Sequence, residues 1–293
     1  MDKCPIEQME ITFKTVIDSE SSLFEPVPAR KIKPEWYKKL PVKVVNHGDE
    51  IATIKKCPAM HDWLSMGYLV RNRHSIYVWI GTNHNTKDGT PEPASITVPL
   101  REEVTQEDIQ KMGTFKNPDE FVNYVMNGRF AHQEWEELTK KAPLGGHPAM
   151  QVEGMSRDDR MAFKFKMDFL IETPKGTSCY YLDPFLFDNP YFTVWQGIID
   201  TDTFNQPTTN NMLIMYPKVD HSFIITKGTP LVQIVPFVRY PWKMKVEKYP
   251  KEQLMRDYDE ELEKGDLGLL NTREDTGESN IYRKNWASRK EYS

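Results

Sequence analysis

The sequence predicts a mainly β protein of the α+β class. Twenty-one prolines punctuate its 293 residues, 12% of the side chains are aromatic, and the apolar runs are short. Many brief strands cut by turns fit that combination better than long helices do. Hydrophobic residues at 39% against 28% charged, with a net charge of −5, describe a chain able to bury an ordinary core. Collagen-like, mucin-like and wholly disordered classes are thereby excluded. An acidic balance also disfavours a broad nucleic-acid surface.

The first strand is expected in Met9 to Val16, where apolar and polar residues alternate with period two. In Lys33 to Pro41, Pro34 opens a short helix and Pro41 stops it, with Trp36 and Tyr37 packing the turn. Pro58 opens a second helix that carries Met60, Trp63 and Leu64 on one face and ends at Gly67. Tyr68 to Val70 and Ser75 to Ile80 read as strands, Gly81 to Pro93 as a polar loop, and Ala94 to Leu100 as the strand after it. Thr105 begins a helix, and Asn117 with Pro118 begins another, because a side-chain acceptor followed by a proline suits the first turn.

From Met161 onward the text changes to strands and turns: Phe163 to Phe165, Ser178 to Leu182, Phe192 to Trp195, Met212 to Met215, Ser222 to Ile225 and Leu231 to Val235. Tyr191 to Trp195 reads chiefly as core by its spacing. Past Trp242 the chain becomes charged and turn-rich. Pro250 opens a helix that runs out near Gly265, and Ile281 to Trp286 reads as an aromatic arm.

Three runs, Thr173 to Leu182, Gly197 to Asp202 and Phe223 to Phe237, resemble in order and spacing the β-clip core of dUTPases and dCTP deaminases. The first is a proline, polar, glycine turn entering a strand. The second is a Gly-Ile-Ile-Asp segment, and the third is the late strand Lys227-Gly228-Thr229-Pro230-Leu231-Val232-Gln233-Ile234. These runs, with Lys55 to Trp63 and Tyr282 to Trp286, look still more like a family carried by tailed phages and bacteria. That resemblance covers most of the chain and implies a phage or bacterial origin but supplies no activity. Together the resemblances imply a β-clip distorted barrel or sandwich at residues 161–245. Residues 1–160 would wrap it with strands and short helices, and 246–293 would form a charged helix and arm. A homo-oligomer, a trimer, is also what the resemblance implies.

The departures from the dUTPase pattern bear on chemistry. Where that family places Pro-Arg-Ser-Ser, whose Arg and Ser donate to phosphates, this chain has Asp183-Pro184-Phe185-Leu186, which cannot supply those donors. The glycine-rich phosphate-covering terminus is replaced by the acidic Thr272 to Ser279. The expected function is therefore a phage-type interaction or virion-assembly protein on a non-catalytic dUTPase-like scaffold.

The alternative is a nucleotide-binding or nucleotide-hydrolysing protein. Asp200, which matches the family's catalytic carboxylate, would place a water or Mg2+ with Asp202 or Asp183, while Gln196, Phe204 and Asn205 would contact the nucleotide. Asp200 and Asp202 also suit a tight turn as acceptors of backbone N–H groups. No metal-ligand set is read from the sequence. The seven histidines show no ligand spacing, Cys4, Cys57 and Cys179 are odd in number and far apart, and no cofactor is expected outside that alternative. A two-histidine, one-carboxylate iron site would require convergence in space. No apolar run reaches the ~18 residues of a membrane span. Met1-Asp2-Lys3-Cys4 lacks the apolar core of a secretory signal, so a cytoplasmic place, in a phage host or with the virion, is the expectation. Gly228 is expected to sit in a turn that needs positive φ, so that Gly228→Val would destabilise strongly.

Overall fold

The computed structural model describes residues 9–15, 22–85, 89–133, 135–136, 162–204 and 212–263. In chain order the first half holds β1 (Thr12–Thr15), β2 (Phe24–Pro28), α1 (Glu35–Lys39), β3 (Lys43–Asn46), β4 (Asp49–Ala52) and α2 (Pro58–Ser65). β5 (Tyr68–Asn72), β6 (Ile76–Asn83), β7 (Glu92–Pro99), α3 (Gln106–Met112) and α4 (Pro118–Gly128) follow. The second half holds β8 (Phe163–Lys166), β9 (Phe169–Glu172), β10 (Thr177–Leu182), β11 (Phe192–Val194) and β12 (Gly197–Ile199). It ends with β13 (Met212–Pro217), β14 (Phe223–Ile225), β15 (Pro230–Val238) and α5 (Lys251–Glu263).

The chain divides into two compact units, one of residues 1–27 with 67–238 and the other of residues 28–66 with 239–293. In the larger unit a five-stranded sheet runs β12-β10-β15-β5-β2, beside three-stranded sheets β14-β6-β7 and β11-β13-β8 and the pair β1-β9. Strands of the first half thus share sheets with strands from beyond residue 162. None of these sheets closes into a barrel. The mainly β, α+β class is what the sequence predicted. No helix of the described residues is long and apolar enough to cross a membrane.

The core of this unit gathers Val70, Tyr77, Trp79, Phe121, Phe163, Phe169, Cys179 and Ile234 between sheets and helices. α4 is fastened to β6 by ring stacking: Phe121 lies 5.5 Å from Trp79 and 5.7 Å from Tyr77. Both predicted helix starts form. Thr105 and Asp108 make a reciprocal capping box on α3, and the Asn117 side chain accepts from the N–H groups of Asp119 and Glu120 on α4.

Some expectations are corrected. The expected loop Gly81 to Pro93 is shorter than its composition suggests, since β6 and β7 stay in register from Ile76 opposite Pro99 to Asn83 opposite Glu92 and take three residues from its start and two from its end. Cross-strand bonding carries the ladder through residues whose composition reads as loop. β2, with two prolines in Phe24-Glu25-Pro26-Val27-Pro28, was hidden because proline lacks an N–H, yet β2 lies at a sheet edge, where that loss is tolerated.

In the smaller unit β3 and β4 form a hairpin turned by His47 and Gly48, both at positive φ, a geometry that suits the right-handed twist of paired strands. α1 and α2 form about their prolines as expected, and Gly67 sits just past α2 at φ +69°. Tyr37 is buried and Trp36 is exposed. The segment Ile281 to Trp286 lies outside the described residues.

Candidate functional site

β10 is the spine of the candidate site. It runs antiparallel to β15 and to the edge strand β12, with Tyr180 opposite both Val235 and Ile198. Alternation therefore places Ser178 and Tyr180 on one face with Gln196, Ile198 and Asp200, and turns Cys179 and Tyr181 into the core. Burial pushes the Cys179 thiol up to about 11, and it raises the Tyr181 phenol as well, so neither ionises at neutral pH. Tyr180 stacks on Phe237 at 4.3 Å and is 37% exposed, and Ile198 beside it is 57% exposed.

The acidic residues form two clasps at opposite ends of β10. At one end the Ser178 hydroxyl donates to Asp200 Oδ1 at 2.6 Å, and the Gly176 N–H donates to Asp202 Oδ2 at 2.7 Å. The 200–203 turn closes through N–H groups of Thr203 and Phe204, both donating to the Asp200 carbonyl. Buried Thr201 shares a hydroxyl bond of 2.7 Å with Thr173. At the other end Asp183 accepts from the Thr193 hydroxyl at 2.5 Å, the Val194 N–H at 2.7 Å and the Gln196 amide at 3.5 Å.

These placements decide which predicted residues meet. Asp200 and Asp202 share one turn, and Asp183 meets Gln196. Asp183 does not join Asp200: Asp200 faces Ser178, Asp183 follows Leu182, and five extended residues at ~3.3 Å each separate the clasps by roughly 16 Å. A shared Mg2+ between Asp183 and Asp200 is ruled out by that spacing, since metal–oxygen bonds span only about 2.0–2.6 Å. Asp200, Gln196 and Phe204 lie at the surface, and Asn205 falls outside the described residues. Among the described residues no three of His, Cys, Asp and Glu gather as metal ligands.

The sequence placed Gln233 in the late strand but gave it no role; it is buried in β15 and accepts from the Phe185 N–H at 3.0 Å. A lone amide inside the apolar run Leu231 to Val235 was the available signal, because a buried polar group needs a partner. Sequence reasoning missed that His74 and His132 meet, with ring centroids 4.3 Å apart. Burial first, then the charges of His132 and Lys227, hold His74 below the usual histidine range. The nearby Glu102 carboxylate is spent on Lys227 at 2.6 Å. This pair therefore does not complete a two-histidine, one-carboxylate site.

A concavity of about 830 Å³ lies between α3 and the β6–β14 edge, lined by Tyr77, Gln106, Gln110, Phe115, Lys116 and His221 among others. Neither acidic clasp reaches it. Burial raises the Tyr77 phenol, and the stacked pair Tyr191–Phe223, 5.1 Å apart, closes one side.

Fold and surface together define a mainly β, α+β protein whose acidic residues Asp183, Asp200 and Asp202 fasten the segments at the two ends of β10. No protein family and no curated protein matches the chain.

Proposed function

We propose that the chain is a phage-type interaction or assembly protein that uses a dUTPase-like β-clip as a non-catalytic scaffold and associates with copies of itself. One observation carries the reading: Asp183, Asp200 and Asp202, which stand where the resemblance places nucleotide chemistry, are engaged as acceptors that close their own loops. A carboxylate holding a serine hydroxyl or a backbone N–H stabilises a turn, and recruiting it as a base would cost that bond. The sheet face beside it, with Tyr180, Ile198 and Phe237, offers aromatic and aliphatic contact area of the kind protein interfaces use.

The nucleotide reading keeps one supporting observation, the surface position of Asp200, Gln196 and Phe204 around one edge strand. A thermal-shift series with deoxynucleoside mono-, di- and triphosphates and Mg2+ separates the two. Any ligand that binds only the folded state raises the melting temperature. The scaffold reading expects no selective shift at millimolar ligand. A selective shift that disappears in Asp200→Ala, and in Asp200→Asn, which keeps an acceptor for Ser178, would replace it with the nucleotide reading.

A further inference from the structure

Residues 239–250 carry the three most exposed large apolar side chains of the described residues, Trp242 at 91%, Met244 at 87% and Val246 at 82%, with Tyr240 at 68% beside them. They occupy every second position, with Lys243, Lys245 and Glu247 between and after them, which is the period of a strand with one apolar face. Yet residues 239–250 join no ladder. α5 follows directly, its first turn closed by the N–H groups of Gln253 and Leu254 donating to the Pro250 carbonyl, and the Tyr249 hydroxyl donates to Asp257. On α5, Leu254, Met255 and Tyr258 are each about half exposed.

Charge is polarised along the same segment. From Arg239 to Lys251 there are five cations and one anion, Glu247; from Glu252 to Glu260 there are four anions and one cation, Arg256. A strand-period stretch with its apolar face in water is an association surface, and its charge pattern selects the partner. A second copy of the same segment, laid antiparallel, matches both features. Basic stretch then meets acidic helix twice, once at each end, as an isologous two-fold contact requires. Tyr240, Trp242, Met244, Val246, Tyr249 and the three α5 residues expose on the order of 1,000 Å² together, against the ~800 Å² per partner of a standard interface.

We propose that residues 239–260 are a self-association segment that pairs antiparallel with its counterpart in a second copy of this chain. The proposal rests on the self-association part of the functional reading and adds to it the surface and the symmetry. The same basic, aromatic stretch has the composition of a single-stranded nucleic-acid track, and the test includes that occupant.

The test is the solution mass of the full chain, by light scattering coupled to size-exclusion chromatography at tens of micromolar. The native chain is expected to be an even-numbered oligomer. Trp242→Glu with Met244→Glu should halve its mass while leaving far-ultraviolet circular dichroism unchanged, since both side chains stand in water. Lys243→Glu with Lys245→Glu, and separately Asp259→Lys with Glu260→Lys, should each weaken association, and an equal mixture of the two should restore it. A native monomer overturns this inference and the self-association reading together. An oligomer whose mass none of these substitutions changes overturns this inference alone. A monomer that binds fluorescein-labelled oligothymidylate through Trp242 and Met244 assigns the segment to nucleic acid and overturns the second copy as its occupant.

Discussion

Ser22 has one hydroxyl proton and two acceptors within reach, the Phe24 carbonyl at 2.7 Å and Asp168 Oδ1 at 2.9 Å. Ser22 donates toward both, sharing its one proton between the carbonyl and the carboxyl oxygen. The other Asp168 oxygen accepts from the Leu23 N–H at 2.5 Å. Burial, the largest cause, raises the Asp168 carboxyl above its ordinary 3.8 and outweighs the lowering by Leu23 and Ser22. A carboxyl raised on folding contributes stability that is full below its unfolded value and is lost as pH rises through its folded value. Urea unfolding of the native chain should therefore lose free energy across the window just above the ordinary carboxylate range, and Asp168→Asn should flatten that loss. Asp168→Ala, which strands the Leu23 donor in the core, should cost about 2–4 kcal/mol below that window. If Asp168→Ala shifts the urea midpoint no more than an exposed Asp→Ala substitution does, the clasp has no structural weight. Asp168 was invisible in the sequence because its partners lie some 145 positions away.

At the scale of elements, two glycines at left-handed φ separate strain from collision. Gly228 has φ +85°, with open space where a Cβ would stand, and its N–H donates to the Asn72 carbonyl at 2.9 Å. Gly67 has φ +69°, and a Cβ there would lie 2.2 Å from the Ile234 carbonyl oxygen of β15. Gly228→Ala should therefore cost only the left-handed penalty of about 1–2 kcal/mol, whereas Gly67→Ala adds a backbone clash for about 2–4 kcal/mol in all. Paired denaturation curves check the order, and equal costs would sink the argument. Gly228 as a positive-φ turn was legible from its sequence neighbours, and Gly67 as a helix end was legible too. The contact that makes Gly67 hard to replace was not, because β15 reaches it from more than 160 residues on.

At the scale of the molecule, pairing through residues 239–260 makes stability depend on concentration. Association of folded copies is linked to folding, so the melting temperature should rise with protein concentration. That rise should vanish in Trp242→Glu/Met244→Glu while the low-concentration melting temperature stays where it was. A melting temperature independent of concentration in the native chain would count against any oligomer. The acidic and basic halves of the segment also predict that added salt weakens association, because rim charges are screened within about 10 Å at 0.1 M.

Local chemistry by itself determined the mainly β class, the helix starts at Thr105, Asn117 and Pro58, and the strands whose apolar residues alternate or run together. Each depends on groups within a few positions of one another: a cap and the N–H two residues on, or the period of a pleat. Only the tertiary structure decided that Asp183 and Asp200 hold opposite ends of β10, that His74 meets His132, and that Gln233 fastens the loop after Asp183. Those outcomes depend on strand order and register, which juxtapose groups tens to hundreds of residues apart. A sequence read in windows shows a residue's chemistry but not the partner on which that chemistry is spent.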